Sequence, residues 1–147
     1  MPKPVTPFAG CDVFITDEAG RVLLIRRVDN GLWALPGGGQ DLGETPMECA
    51  VRECSEETGL DVRCTALLGV FSSARYEYVT YPWKENEFCH LLFRAVPIAG
   101  QMRVSDETSA VEFFARDALP ELSDGHRPRL EVGFRALDDP SAKAFYE

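Results

Sequence analysis

A chain of 147 residues with 45% hydrophobic and 27% charged side chains has the composition of one ordinary globular domain, large enough to bury a core without cross-links. The formal net charge of −9 argues against broad nucleic-acid binding, which needs a basic face, but not against a phosphorylated small molecule, because a bound divalent cation can reverse the local sign. The odd set Cys11, Cys49, Cys54, Cys64 and Cys89, without a Cys-x-x-Cys pair, argues against a disulfide framework or a zinc site and for a reducing, cytoplasmic setting.

The start, Met1-Pro2-Lys3-Pro4, lacks the apolar core of a signal peptide, and no apolar run nears the ~18 residues that would cross a bilayer. Residues 8–16 and 21–28 read as strands joined by the short connection Asp17-Glu18-Ala19-Gly20. The run Val22-Leu23-Leu24-Ile25 is apolar on both faces, as in a strand covered on both sides. A turn-rich stretch, Asp29-Asn30-Gly31, leads to Trp33-Ala34-Leu35-Pro36 and three glycines. The pattern then predicts a helix over 46–58, a strand over 61–71 and a tyrosine-rich loop over 72–86. Strands over 87–96 and 112–115 follow, then a closing helix over 128–138 that Gly133 weakens. Strands on either side of a helix, with a second helix late, predict a single α/β sandwich with a mixed sheet over 1–147.

The first helix carries its own boundaries. Thr45 is a good N-cap, Pro46 takes the first helical position, Glu48 completes a capping box and Gly59 stops the helix. Met47, Ala50, Val51, Cys54 and Thr58 make one stripe, expected to face the core. Glu53, Glu56 and Glu57 share another face. Carboxylates ~5–6 Å apart repel by about 3 kcal/mol per pair at an effective dielectric near 20, less when exposed to solvent. The helix dipole adds roughly 0.3–1 kcal/mol against Glu56 and Glu57 in the last turn. Arg52 offsets part of this. A hard divalent ion, Mg²⁺ or Mn²⁺, would offset far more. On the helix alone, the ordinary reading is still a solvated face.

The residues upstream reverse that weighting. Gly38, Glu44 and then Arg52-Glu53-Cys54-Ser55-Glu56-Glu57-Thr58-Gly59-Leu60 keep a set spacing. Seven fixed residues would coincide by chance about once in 10⁸ to 10⁹ starting points at ordinary residue usage. With the lead-in Trp33-Ala34-Leu35-Pro36-Gly37-Gly38, the segment resembles the box of the Nudix hydrolase family at every specified position. The resemblance is tight over residues 33–60 and looser over the rest.

The resemblance implies an α/β/α sandwich and cleavage of a nucleoside diphosphate linked to another group, with Mg²⁺ or Mn²⁺. It implies Glu53, Glu56 and Glu57 as metal ligands, joined by the backbone carbonyl of Gly37 or Gly38. It implies Arg52 as the residue that orients a glutamate through a salt bridge and Glu44 as support for the loop or the outer metal shell. The base is a box glutamate or Glu107, in Ser105-Asp106-Glu107-Thr108, and Glu112 is read as structural. Physically, cations screen the diphosphate and a carboxylate takes a proton.

Substrate choice is assigned to the surroundings. Arg26 and Arg27 are adjacent strand residues that point to opposite faces, so one can meet a phosphate while the other meets solvent. Tyr81 and Trp83, in the aromatic segment with Tyr76, Tyr78 and Pro82, offer faces for a base, or else a rim packed on the sheet or on a second copy in a homodimer. His90 is read as a core or sheet residue and His126 as part of a polar turn. The leading expectation is a nucleotide-type small-molecule substrate of the ADP-ribose or nucleoside diphosphate sugar kind. The alternatives are loss of diphosphate from a damaged or non-standard nucleoside triphosphate, and a non-catalytic nucleotide-binding module.

Overall fold

The structure is a computed structural model and describes residues 6–76 and 87–147. Strands β1 (Phe8–Phe14) and β2 (Val22–Arg27) come first, then two short strands, β3 (Trp33–Ala34) and β4 (Gly37–Gly39). Helix α1 (Pro46–Thr58) follows, then the long strands β5 (Leu60–Ser72) and β6 (Phe88–Gly100), β7 (Thr108–Phe114) and helix α2 (His126–Asp138).

The expected mixed sheet is present as β4-β1-β6-β5, in which β1 and β6 run parallel and the other pairs antiparallel. A second, antiparallel sheet has the order β3-β2-β7. Asp17 makes the predicted turn between β1 and β2, with Oδ1 accepting the N–H groups of Ala19 and Arg21. Alternate side chains of β1 and β2 feed two cores. Cys11, Val13, Ile15 and Leu23 join Cys49, Ala50 and Cys54 of α1, while Phe14, Val22 and Leu24 join Leu130, Val132 and Phe134 of α2. That alternation is the period-2 geometry of a strand, and it makes the sandwich.

Several boundaries differ from the sequence expectation. β6 runs past residue 96 to Gly100 because only β5 flanks it there; β1 pairing ends at Arg94, so Pro97 sits on an unshared edge. β7 begins at Thr108 instead of 112, and β3 and β4 form within the turn-rich stretch. Helix α1 matches over 46–58 with its capping box, but its buried face is shifted. Met47 is 51% exposed, and Cys49, omitted from the predicted stripe, is fully buried. Gly133 does not weaken α2: any Cβ there would overlap the Phe14 ring, so the helix needs it for close approach. Among the described residues no helix is long and apolar enough to cross a membrane.

Candidate active site

Strand β4 is the floor of the site. It pairs with β1 in the register Gly10↔Gly39, Cys11↔Gly38 and Asp12↔Gly37, and α1 packs against it. A Cβ on Gly37 would overlap Asp12 and the Cys11 carbonyl, and one on Gly38 would stand 2.5 Å from the Glu53 carboxyl carbon. Glycine is therefore required by space: strand on one side, helix carboxylates on the other.

Above this floor, one carboxylate oxygen each from Glu53, Glu57 and Glu107 lies within 4.8 Å of the others. Glu57 is 4% exposed, and the backbone N–H of Gly37 donates to its Oε1 at 2.7 Å. Burial pushes the Glu57 carboxyl well above its ordinary range; the Gly37 hydrogen bond opposes this and the Glu53 charge adds to it. Burial also raises Glu53, against the Arg52 hydrogen bond. Two crowded, desolvated acids and a third beside them form a hard-oxygen donor set suited to a divalent cation.

Arg52 organises the rim. Its guanidinium donates to both Glu44 oxygens, at 2.9 and 2.7 Å, to Glu53 at 3.0 Å and to the Gly39 carbonyl at 3.1 Å. The Arg52 hydrogen bond holds the Glu44 carboxyl down at about 2. Glu56 stands apart from the other box glutamates. Its side chain is 57% exposed, meets Arg52 at 3.3 Å and is outside the group of three. The single face drawn from the spacing is thus split: Glu57 turns inward, Glu53 sits at the boundary and Glu56 faces water.

A cavity of about 450 Å³ opens over the acids, lined also by Arg27, Asp29 and the glycine strand. Arg27 is held at its edge by Asp29, through Nε at 2.8 Å and Nη2 at 2.5 Å. Arg26 is on the other face, donating to the Gly31 carbonyl at 3.0 Å. The two residues engage different partners, as expected of adjacent strand residues, although the register of β2 with β7 shifts between them. Tyr81 and Trp83 lie outside the described residues.

A second, smaller cavity of about 70 Å³ lies against the same glycines and Arg27, lined by Asp12, Phe88, His90, His126 and Arg129. Sequence reasoning missed its central feature, the buried ion pair of Arg129 with Asp12, whose side chains are 1% and 6% exposed. The signal was an aspartate inside the apolar run of β1. His126 is no part of a polar turn: it is 2% exposed, and its Nδ1 accepts the Leu35 N–H at 3.1 Å. His90 lies in β6 as expected, stacked on Phe88 at 5.4 Å, and neither ring nitrogen makes a hydrogen bond among the described residues. Burial holds its pKa down at about 2, so the ring is neutral.

The NUDIX domain family model matches residues 6–133. A MutT-like protein of Streptomyces ambofaciens is 39% identical over 107 residues, 73% of this chain and 63% of that protein. An ADP-ribose pyrophosphatase of Methanocaldococcus jannaschii is 36% identical over 115 residues, 76% of this chain and 64% of that protein. The chain spans just under two thirds of the length of these two relatives. A putative 8-oxo-dGTP diphosphatase of Bacillus subtilis is 32% identical over 126 residues, 86% of this chain and 78% of that protein. Among solved structures, that of a UDP-X diphosphatase superposes with a TM-score of 0.85 at 25% identity, over 99% of this chain and 70% of that one.

Proposed function

Since this chain belongs to the Nudix hydrolase family, we propose that it hydrolyses the phosphoric anhydride bond of a nucleoside diphosphate joined to a second moiety, using a divalent cation. The observation that carries this reading is the convergence of Glu53, Glu57 and Glu107, one oxygen each, within 4.8 Å. Carboxylate oxygens of this kind fit Mg²⁺ or Mn²⁺, and Gly37 and Gly38 line the same cavity as the three acids. When bound, such a cation supplies Lewis acidity to the phosphoryl oxygens and screens the diphosphate charge.

The chain's own residues do the rest. Glu57 is held by Gly37 and Glu53 by Arg52, so both carboxylates keep their place before substrate arrives. Arg27, steadied by Asp29 at the edge of the cavity, meets a substrate phosphate with a guanidinium. Glu107 is the solvent-exposed member of the three, which supports it over a box glutamate as the group that takes a proton from an attacking water. Glu56 supports this arrangement through Arg52.

The names of the archaeal relative and of the UDP-X diphosphatase support an ADP-ribose or nucleoside diphosphate sugar substrate. A triphosphate substrate is the second reading, supported by the Bacillus relative. Product analysis separates them. Purified protein with Mg²⁺ is given nucleoside diphosphate sugars, ADP-ribose and nucleoside triphosphates. A nucleoside monophosphate with a sugar phosphate is the expected pair; inorganic diphosphate would move the assignment to triphosphates. No turnover of any compound would leave only a binding module.

A further inference from the structure

Glu57 and Glu107 come from different segments, so the loop bearing Glu107 must be held against the end of α1. A directed run of hydrogen bonds links the two backbones. The N–H of Glu107 donates to Ser105 Oγ at 3.2 Å, Ser105 Oγ lies 2.9 Å from Thr108 Oγ1, and Thr108 Oγ1 donates to the Glu57 carbonyl at 2.9 Å. A carbonyl can only accept, so the single Thr108 proton goes there and the Ser105 hydroxyl donates to Thr108. The Ser105 N–H adds a second bond to Thr108 Oγ1 at 3.0 Å.

The position of Thr108 makes this run consequential. Thr108 is 1% exposed. The Glu57 carbonyl belongs to the last turn of α1, whose final carbonyls lack intrahelical partners. Thr108 therefore fills an orphan acceptor of the very residue whose carboxylate joins the acidic group. The other side of the loop is tied as well, because the Val28 N–H donates to the Glu107 carbonyl at 3.1 Å.

We propose that Thr108 and Ser105 are positioning residues that hold the Glu107 carboxylate against Glu53 and Glu57. This rests on the reading of those three acids as cation ligands. Neither hydroxyl touches the cation or the substrate; both act through the backbone on which two of the carboxylates are mounted.

The test uses the full chain, with Mn²⁺ as the probe and free Mn²⁺ followed by electron paramagnetic resonance. Thr108→Val keeps the shape and removes the hydroxyl, and is expected to weaken Mn²⁺ binding by about tenfold. Thr108→Ser is expected to restore most of that affinity. In a Glu107→Gln background, Thr108→Val is expected to add little, because both changes act on one contact. In turnover, kcat should fall more than KM rises. Wild-type Mn²⁺ affinity in Thr108→Val overturns the proposal, as does an equal loss with and without Glu107→Gln. Where Thr108→Val does not fold, Ser105→Ala breaks the same run at its outer link and is judged by the same outcomes. A wild-type chain that binds Mn²⁺ but turns over nothing removes the proposed reaction and leaves the positioning role standing. One that binds no Mn²⁺ removes both.

Discussion

Gly37 and Glu57 are joined by a 2.7 Å hydrogen bond from the strand N–H to the helix carboxylate. That bond ties the floor of the site to the last turn of α1. It leaves Glu57 buried but oriented.

The two glutamates at the end of α1 should therefore differ. Glu57→Gln should lower turnover by about 100-fold or more, the scale of removing one organised electrostatic contact from a site. Glu56→Gln should cost about tenfold, since it acts through Arg52. Steady-state kinetics with Mg²⁺ checks the order. Equal losses would place Glu56 among the direct ligands.

The stability that Glu57 and Glu53 contribute without cation should fall as pH rises, while the buried neutral rings of His90 and His126 contribute in the opposite sense. Glu57 and Glu53 are both raised in the folded state, so the folded chain holds protons that the unfolded chain has already lost. Their contribution is greatest below the unfolded value near 4.5 and is lost as pH climbs through the raised folded values. Measured in a chelator, the Tm of Glu57→Gln relative to wild type should therefore rise across that window. Adding Mg²⁺ at neutral pH should restore stability, by about 2.7 kcal/mol at a hundredfold excess over Kd.

The adjacent arginines make a paired control. Arg27→Ala should reduce kcat/KM by about tenfold to a hundredfold, the worth of a charged hydrogen bond of roughly 1.5–3 kcal/mol. Arg26→Ala should stay close to wild type, because its side chain is occupied with the Gly31 carbonyl. A reversed order would move the phosphate contact to the other face of β2.

The buried Asp12–Arg129 pair predicts a stability effect of a particular shape. Arg129→Met leaves Asp12 desolvated and unpaired, and should cost about 3–5 kcal/mol in denaturant melts. Replacing both residues by apolar side chains of similar volume should recover much of that loss. A small effect of Arg129→Met alone would mean that Asp12 is already protonated, the direction in which its burial pushes it.

The sequence by itself determined the helix, its caps, the glycine run and the family. These rest on local rules: Thr45, Pro46, Glu48 and Gly59 act within a few residues, and a motif is a matter of spacing. It also pointed to Arg26 and Arg27 diverging, the ordinary alternation of a strand, although the register of β2 with β7 shifts between the two. Only the tertiary structure decided which glutamates meet. Spacing on a helix states that Glu53, Glu56 and Glu57 are neighbours, yet it does not state which of them the sheet covers. The packing of α1 on β4 buries Glu57 and leaves Glu56 in water, and the start of β7 brings Glu107 from a distant segment. The Asp12–Arg129 pair spans 117 residues and left only one trace in the sequence, an acid in an apolar strand. Contacts of that reach depend on how layers stack, which periodicity along the chain does not encode.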